Sequence, residues 1–557
     1  MISKQEIKHI LETVSFKQSV PPFLKSIYSD NINVKGFNLY DEQLDLVEEV
    51  FNNIMGSNLG CAVVELPTGY GKSLIAMSVM ILMYHFNMIK QSQASFVVCN
   101  KKLLQTQYHD SFKFLLLMKG KDNYLCPARS NHITASVAPC TDPNYDCSYK
   151  DSCTYMCTKT AMDSLPIAVI NYAWYLTYLH KENYWRFNGL QVFDECHLMP
   201  SMLMEKLNVN RLELAEQLRA ILIMLGRASA STLPEIVARA ESYETIANVV
   251  EKEVKECVDI LRARASSVGM LDESEEQLHD WASTISTNID MFRFLSKKSG
   301  GTLRYDRIGD KLLINPLSGV YNAILSKSSY SLFMSSTIEE KYYLESILKD
   351  AGMNEKGEKR TVTYIKRPSL FDRDKRLINV IRGFRVSSRF LQSEENIKAL
   401  VNLSHTIATE YHPEERGIIF VNSYEQANYF TSLDDPRYFV HLKGEALYPL
   451  IEGHDKSKNG ILVSPVVSEG FDFKGDKSRF QIVFKIPFLA PNTEEEKIYG
   501  EQWYFSEAMN KLIQMTGRSI RNKSDYASSY ILDENLDYLL RNFDPPEWWR
   551  DSLNYLN

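Results

Sequence analysis

AVVELPTGYGKSLIAMSVMILMYHF, residues 62–86, runs a short apolar segment, a glycine-bearing turn and the start of an apolar helix in direct succession. The segment Ala62–Leu66 reads as a buried strand, because a strand covered on both faces needs no polar alternation. In Pro67-Thr68-Gly69-Tyr70-Gly71-Lys72-Ser73 the glycines let backbone N–H groups approach a phosphate chain. The helix that follows points its positive dipole end at the same place. Lys72 then reaches the β- and γ-phosphates and Ser73 holds Mg²⁺, with Thr68, Gly69 and Gly71 lining the loop. Leu66 stands where the strict phosphate-loop pattern has glycine.

Further strand-like text lies on both sides. ASFVVC (94–99) and QVFDE (191–195) are apolar runs between polar stretches, and their alternation with helix-like segments favours a parallel sheet covered by helices. QVFDE leads into Asp194-Glu195-Cys196-His197. A carboxylate at the C-terminal edge of a strand beside the phosphate loop can bind Mg²⁺ through Asp194, leaving Glu195 to polarise an attacking water. A second α/β block starts near Ile378, with GIIFV (417–421), GILVSPV (460–466), FQIVFKI (480–486) and YILD (530–533) as strands. Near its end, Gln514-Met515-Thr516-Gly517-Arg518-Ser519-Ile520-Arg521 spaces two arginines for one helix face. Guanidinium groups aimed at a departing γ-phosphate stabilise its charge, so Arg518 and Arg521, with Gln514 at the head of the same motif, join Lys72, Asp194 and Glu195 as candidate catalytic residues.

The 557 residues carry 63 Lys+Arg against 70 Asp+Glu, a net charge of −7, which excludes a generally basic coat but not a local basic groove. An apolar fraction of 44% excludes wholesale disorder. The longest apolar run, Leu74–Ile89, is broken by Ser78, His85 and Asn87 and is shorter than the ~18 residues of a membrane span. The opening MISKQEIKHILETV has no apolar targeting core. The expectation is an intracellular, soluble, multidomain protein with no membrane partner.

Together these motifs resemble a superfamily 2 DNA helicase, specifically the XPD/DinG-like iron–sulfur group. Val97–Gln107 (VVCNKKLLQTQ) is similar to the family's motif Ia, a single-strand contact. Ser335-Ser336-Thr337 stands where Ser-Ala-Thr is usual, and Ser468-Glu469-Gly470-Phe471-Asp472-Phe473 is similar to motif V. KIPF (485–488) and FDPPEWW (543–549) also match, and DECH replaces DEAH. The resemblance runs from about Phe37 to Trp549. It implies an α/β fold of two RecA-like parallel-sheet domains, the first interrupted by a small Fe–S module and a mostly helical, arch-like insertion. It also adds Gly470 and Asp472 to the ATP/Mg²⁺ site and makes Gln43 the adenine reader, although Tyr40 stands where the family often has Arg.

The implied domains are an N-terminal helical segment (1–35), helicase domain 1 (36–119, 161–207 and, with a linker, 311–370), the Fe–S module (120–160), the helical insertion (208–310) and helicase domain 2 (371–557). The implied activity is ATP-driven travel on single-stranded DNA, 5′→3′ by resemblance, with unwinding of tailed or forked duplex. A monomer suffices, with ATP hydrolysed in the cleft between the two domains. Two alternatives share much of this machinery: an RNA or RNA–DNA hybrid helicase or remodeller, and an ATP-gated single-strand-binding protein without processive unwinding.

Five cysteines, Cys126, Cys140, Cys147, Cys153 and Cys157, are separated by thirteen, six, five and three residues. The absence of a CxxC pair argues against a zinc ribbon, whereas thiolates spread through one irregular loop are compatible with a 4Fe–4S cluster. Zinc and plain buried thiols are the alternatives. Cys153 lies eighteen residues before Asn171, the place of the last ligand in DinG-like chains. The resemblance therefore selects Cys126, Cys140, Cys147 and Cys153, with Cys157 as a substitute. For nucleic acid, Lys101 and Arg129 are candidate contacts. The aromatic crowd Tyr172, Trp174, Tyr175, Tyr178, Tyr184 and Trp185 reads mainly as core packing, and the basic stretch Lys356–Arg389 as a solvated face.

Overall fold

The computed structural model describes residues 39–556 apart from 58, 91–92, 130–133, 137, 139–145, 165–166, 181–188, 229–230, 269–270, 339–347, 349–359, 469–472, 474, 492, 518–519 and 521–524. The expected N-terminal helical segment (1–35), Tyr184 and Trp185 lie outside the described residues. Internal contacts divide the chain into two compact units. The first comprises the described parts of Met1–Val64, Ser73–Met334 and Glu340–Tyr364, and the second those of Glu65–Lys72, Ser335–Glu339 and Ile365–Asn557.

Ten strands come first: β1 (Gly60–Glu65), β2 (Ser95–Cys99), β3 (Leu116–Leu117), β4 (Ile167–Asn171), β5 (Leu190–Asp194), β6 (Val209–Asn210), β7 (Arg304–Ile308), β8 (Lys311–Asn315), β9 (Tyr330–Ser335) and β10 (Thr361–Lys366). Seven make one sheet in the order β10-β1-β9-β5-β2-β4-β3. β2 pairs in parallel with β4 and β5, as do β3 with β4 and β5 with β9. Every residue of β1, β5 and β9 is buried, which is why these strands read as unbroken apolar text.

The helices α1 (Asp41–Met55), α2 (Lys72–His85), α3 (Lys102–Ser111) and α4 (Tyr172–Leu179) accompany this sheet in sequence. α2 is apolar nearly all round and buries nine of its residues. On α4, Tyr172, Trp174, Tyr175 and Tyr178 are all buried, so these aromatics are core.

The stretch between β5 and β9 is mostly helical, with α5 (Arg211–Met224), α6 (Leu233–Arg239), α7 (Tyr243–Val268) and α8 (Glu273–Lys298). Lys311–Asn315, in the stretch expected to resume helicase domain 1, forms β8. It joins β6 and β7 in a separate antiparallel sheet and not the seven-stranded one. The reason is local: a tight Gly309-Asp310 turn folds β8 back on β7 with Ile308 opposite Lys311. The buried Arg211 fixes that turn, donating to the carbonyls of Ala238 (3.0 Å), Ala240 (3.1 Å) and Gly309. On α7, Glu251 is held down to about 2 by its hydrogen bonds from Arg293 and Lys255.

The second unit carries β11 (Ile378–Ile381), β12 (Gly417–Phe420), β13 (Tyr438–Val440), β14 (Ile461–Ser464), β15 (Phe480–Val483), β16 (Ser528–Ile531) and β17 (Leu553–Leu556). Their order is β13-β14-β12-β15-β16-β11-β17, and every pairing is parallel. Helices α9 (Leu447–Lys456), α10 (Glu494–Thr516, broken at Gly500) and α11 (Glu547–Arg550) belong to this unit. One core cluster joins Leu512, Ile513 and Met515 of α10 to Leu539 and Trp549.

On α9, His454 is 0% exposed and stands edge-on to the rings of Phe439 and Phe473. Burial pushes its imidazole down to about 4, against the pull of Asp455. Between pH 6.5 and 4 the unfolded chain therefore binds a proton that the folded one refuses, and stability falls as pH falls. The full loss is on the order of 3 kcal/mol. The non-titrating His454→Asn is expected to shrink the difference between urea midpoints at pH 7.5 and 4.5. An unchanged difference would assign the acid sensitivity elsewhere.

Candidate nucleotide-binding site

β1 ends at Glu65 and α2 begins at Lys72, so the phosphate-loop residues fall on the connection from strand to helix, as the sequence predicts. Gly69 (φ +79°) and Gly71 (φ +92°) occupy the left-handed region, which a side chain would strain. Asp194 closes β5 and is 2% exposed. Its Oδ2 accepts from the Tyr108 hydroxyl at 2.8 Å and its Oδ1 from the Glu195 backbone N–H at 2.9 Å. Glu195 itself has φ +50°, an uncommon conformation for a residue with a side chain and one that concentrates at functional sites. Its Oε2 lies 3.4 Å from Nδ1 of His197.

Tyr108 leaves α3, the helix that follows β2. Burial, then the charge of Asp194, holds its phenol well above the usual range, against the pull of a hydrogen bond with the Ser73 side chain. The phenol therefore stays protonated and donates. Cys99 at the end of β2 is likewise pushed up by burial, then by Asp194 and Glu195, and is an unreactive thiol. Ser73 and Asp194 thus converge on one phenol oxygen. A hydroxyl and a single carboxylate are hard oxygen donors of the kind Mg²⁺ takes alongside phosphates and water, so the residues fit that ion.

In the second unit, the Leu66 N–H donates to the Ser335 carbonyl at 2.8 Å. Gln514 Nε2 donates to Ser336 Oγ at 3.0 Å. A methyl group on Gly517 would come within 2.6 Å of Thr68 Oγ1, and one on Gly69 within 2.4 Å of the Ile520 carbonyl and 2.8 Å of the Phe371 ring. The loop segment and the Gln514–Ile520 segment are therefore packed together without side-chain spacing at these points. α10 ends at Thr516, C-capped by Gly517, short of both arginines expected on one helix face. Arg518, Arg521, Gly470 and Asp472 lie outside the described residues. Gln43 sits on α1, buried, its Oε1 accepting from the Tyr40 N–H at 2.9 Å.

Among the five clustered cysteines, Cys126 is buried beside Ala128 and Ala138, Cys153 is buried, Cys147 is partly exposed, and Cys140 lies outside the described residues. The exposed Cys157 donates its thiol to the Asp151 carbonyl at 3.2 Å. Among the described residues, no three His, Cys, Asp or Glu side chains gather as a metal site, so three of the four selected thiols are not brought together. Lys101 precedes α3 as its N-cap, and the side chain of Arg129 is not among those described.

The family described as helicase C-terminal domain matches residues 408–551, and the one described as type III restriction enzyme, res subunit, matches residues 36–226. These stretches cover more than half of the chain. A solved XPD helicase superposes with a TM-score of 0.55 at 15% identity, covering 93% of this chain and all of that one. The chain carries a helicase C-terminal domain and has an XPD-like fold. S. tokodaii Xpd4 gives a TM-score of 0.51 at 12% identity, with 93% of this chain and 100% of that one covered, and likewise shows the fold. A regulator of telomere elongation helicase 1 homolog from Oryza sativa subsp. japonica is 30% identical over 103 residues, covering 14% of this chain. The match spans 10% of that relative's length.

In this chain, sequence reasoning missed two parts of the site. Tyr108 directly follows the motif Ia text Val97–Gln107, and nothing in its residue type points across to Asp194, eighty-six positions away. The Ser336–Gln514 bond joins two motifs 178 positions apart. Both are products of folding that no spacing reveals.

Proposed function

We propose that this chain is an ATP-driven motor that moves on single-stranded DNA, 5′→3′, and unwinds tailed or forked duplex as a monomer inside the cell. The reading rests above all on Asp194 at the end of β5 and the glycine turn at the end of β1, strands of one sheet with β9 between them. That is the arrangement in which a carboxylate meets a phosphate chain at strand ends. Lys72 and the loop N–H groups of Thr68, Gly69 and Gly71 bind the phosphates. Ser73 and Asp194 would hold Mg²⁺, which when bound neutralises phosphate oxygens. Glu195 accepts the proton of the attacking water at its carboxylate, and Gln514, Arg518 and Arg521 stabilise the γ-phosphate charge. Gln43, Gly470 and Asp472 complete the nucleotide contacts.

Steady-state ATPase rates with no nucleic acid, single-stranded DNA, duplex DNA and single-stranded RNA, with Lys72→Ala as background, test this. Strong stimulation by single-stranded DNA is expected. Stimulation by RNA alone would replace the substrate, and background rates throughout would overturn the motor.

We also propose a 4Fe–4S cluster on Cys126, Cys140, Cys147 and Cys153, and no step of hydrolysis is assigned to it. The described cysteines do not gather into a site, so this reading is supported by the spacing and by the XPD-like fold. Cys126→Ser is expected to lose iron and unwinding while retaining ATPase activity. Unchanged iron content in that variant would refute the assignment.

A further inference from the structure

Asp194 is held at both oxygens: Oδ1 by the next backbone N–H at 2.9 Å and Oδ2 by Tyr108 at 2.8 Å. A carboxylate has about four lone-pair positions, so donors at both oxygens restrict its rotation. Tyr108 is itself 2% exposed, with its ring against Phe112. Its helix is anchored on both sides of it. Gln105 donates to the Met118 carbonyl at 2.9 Å and the ring of His109 reaches the Leu115 carbonyl at 2.8 Å. The phenol oxygen therefore has little freedom, and the Ser73 hydroxyl interacts with that same oxygen.

We infer that Tyr108 is a positioning residue for the metal pair, fixing the Asp194 carboxylate and the Ser73 hydroxyl relative to each other so that one cation meets both. This rests on the nucleotide-site reading proposed above. Tyr108 touches neither phosphate nor water in this role. It acts on the cation through the orientation of Asp194 and Ser73, as partners behind metal ligands generally do.

The test uses the full chain with ADP and Mn²⁺ as probe, free Mn²⁺ being read by electron paramagnetic resonance. Tyr108→Phe is expected to weaken Mn²⁺ binding in the ADP complex by about tenfold or more, the usual scale for losing such a partner. ADP affinity without metal is expected to stay within about twofold. The Mg²⁺ concentration for half-maximal ATPase should rise in proportion, with kcat recovering at saturating Mg²⁺ (a pattern that mere loosening of the fold does not produce). Tyr108→His returns a donor and is expected to recover part of the affinity. Tyr172→Phe removes a neighbouring phenol that reaches only the Asp194 carbonyl, at 3.4 Å, and is expected to bind Mn²⁺ like wild type.

Wild-type Mn²⁺ affinity in folded Tyr108→Phe overturns the inference while the nucleotide site stands. Equal weakening by Tyr172→Phe also overturns it, by reducing the effect to packing. If the wild-type chain binds no Mn²⁺ with ADP, the nucleotide-site reading fails and the inference with it.

Discussion

Glu195→Gln is expected to bind ATP within about twofold of wild type and to hydrolyse it about 10²–10⁴-fold more slowly, the range for removing a general base. The substitution keeps side-chain volume and hydrogen-bonding reach but removes the carboxylate proposed to accept the proton of water. The backbone makes this carboxylate's place specific. Glu195 is held at φ +50° directly after β5, with its own N–H donated to Asp194. That conformation costs of order 1 kcal/mol or more, and the fold maintains it. Single-turnover hydrolysis alongside equilibrium nucleotide binding separates the two effects. Hydrolysis within tenfold of wild type would remove Glu195 from the proton-transfer role. A loss confined to binding would instead place the residue with the phosphate contacts. An ATP-gated binder would retain nucleotide-switched affinity for single strands in this variant, so the same protein distinguishes motor from switch.

The second large effect is expected in the core of the second unit. Trp549 is 1% exposed and packs in the core cluster with Leu512, Ile513 and Met515 of α10. Its indole N–H donates to Thr516 Oγ1 at 2.8 Å, at the last residue of the helix that bears Gln514. Trp549→Ala is expected to cost about 3–5 kcal/mol, the range for emptying a buried tryptophan site. For a unit of this size that corresponds to a fall of roughly 10 °C or more in its melting transition. Trp549→Phe keeps most of the packing and loses the indole donor, so about 1–2 kcal/mol is expected. Calorimetry of the full chain reads both. A shift of less than about 3 °C for Trp549→Ala would mean that the site collapses around the gap, contrary to the packing seen.

The FDPPEWW stretch was legible in the sequence as a match, but what it does there was not. Its role as a brace for the end of α10 depends on a contact between Trp549 and Thr516, thirty-three positions apart. The same limit applies to the cysteines. Their spacing can be counted, whereas whether four thiols meet depends on how an irregular loop closes, and the described thiols are not gathered. Of the described part of QMTGRSIR, residues 514–516 lie on α10. Gly517 packs against Thr68 at a distance that excludes a side chain, and α10 ends there.

The sequence by itself determined the parallel-sheet architecture and the succession of strand, glycine turn and helix from β1 to α2. Buried parallel strands need continuous apolar text, a loop cradling phosphate needs glycines before a helix, and both are local demands written into consecutive residues. Hence β1, β2 and β5 fall within a residue or two of their expected positions. Only the tertiary structure decided that β8 leaves the main sheet, that Ser336 meets Gln514, and that Tyr108 holds Asp194. These arrangements rest on hydrogen bonds between distant segments. Their partners are ordinary residue types, so their energy depends on where the backbone carries them and not on any pattern along the chain.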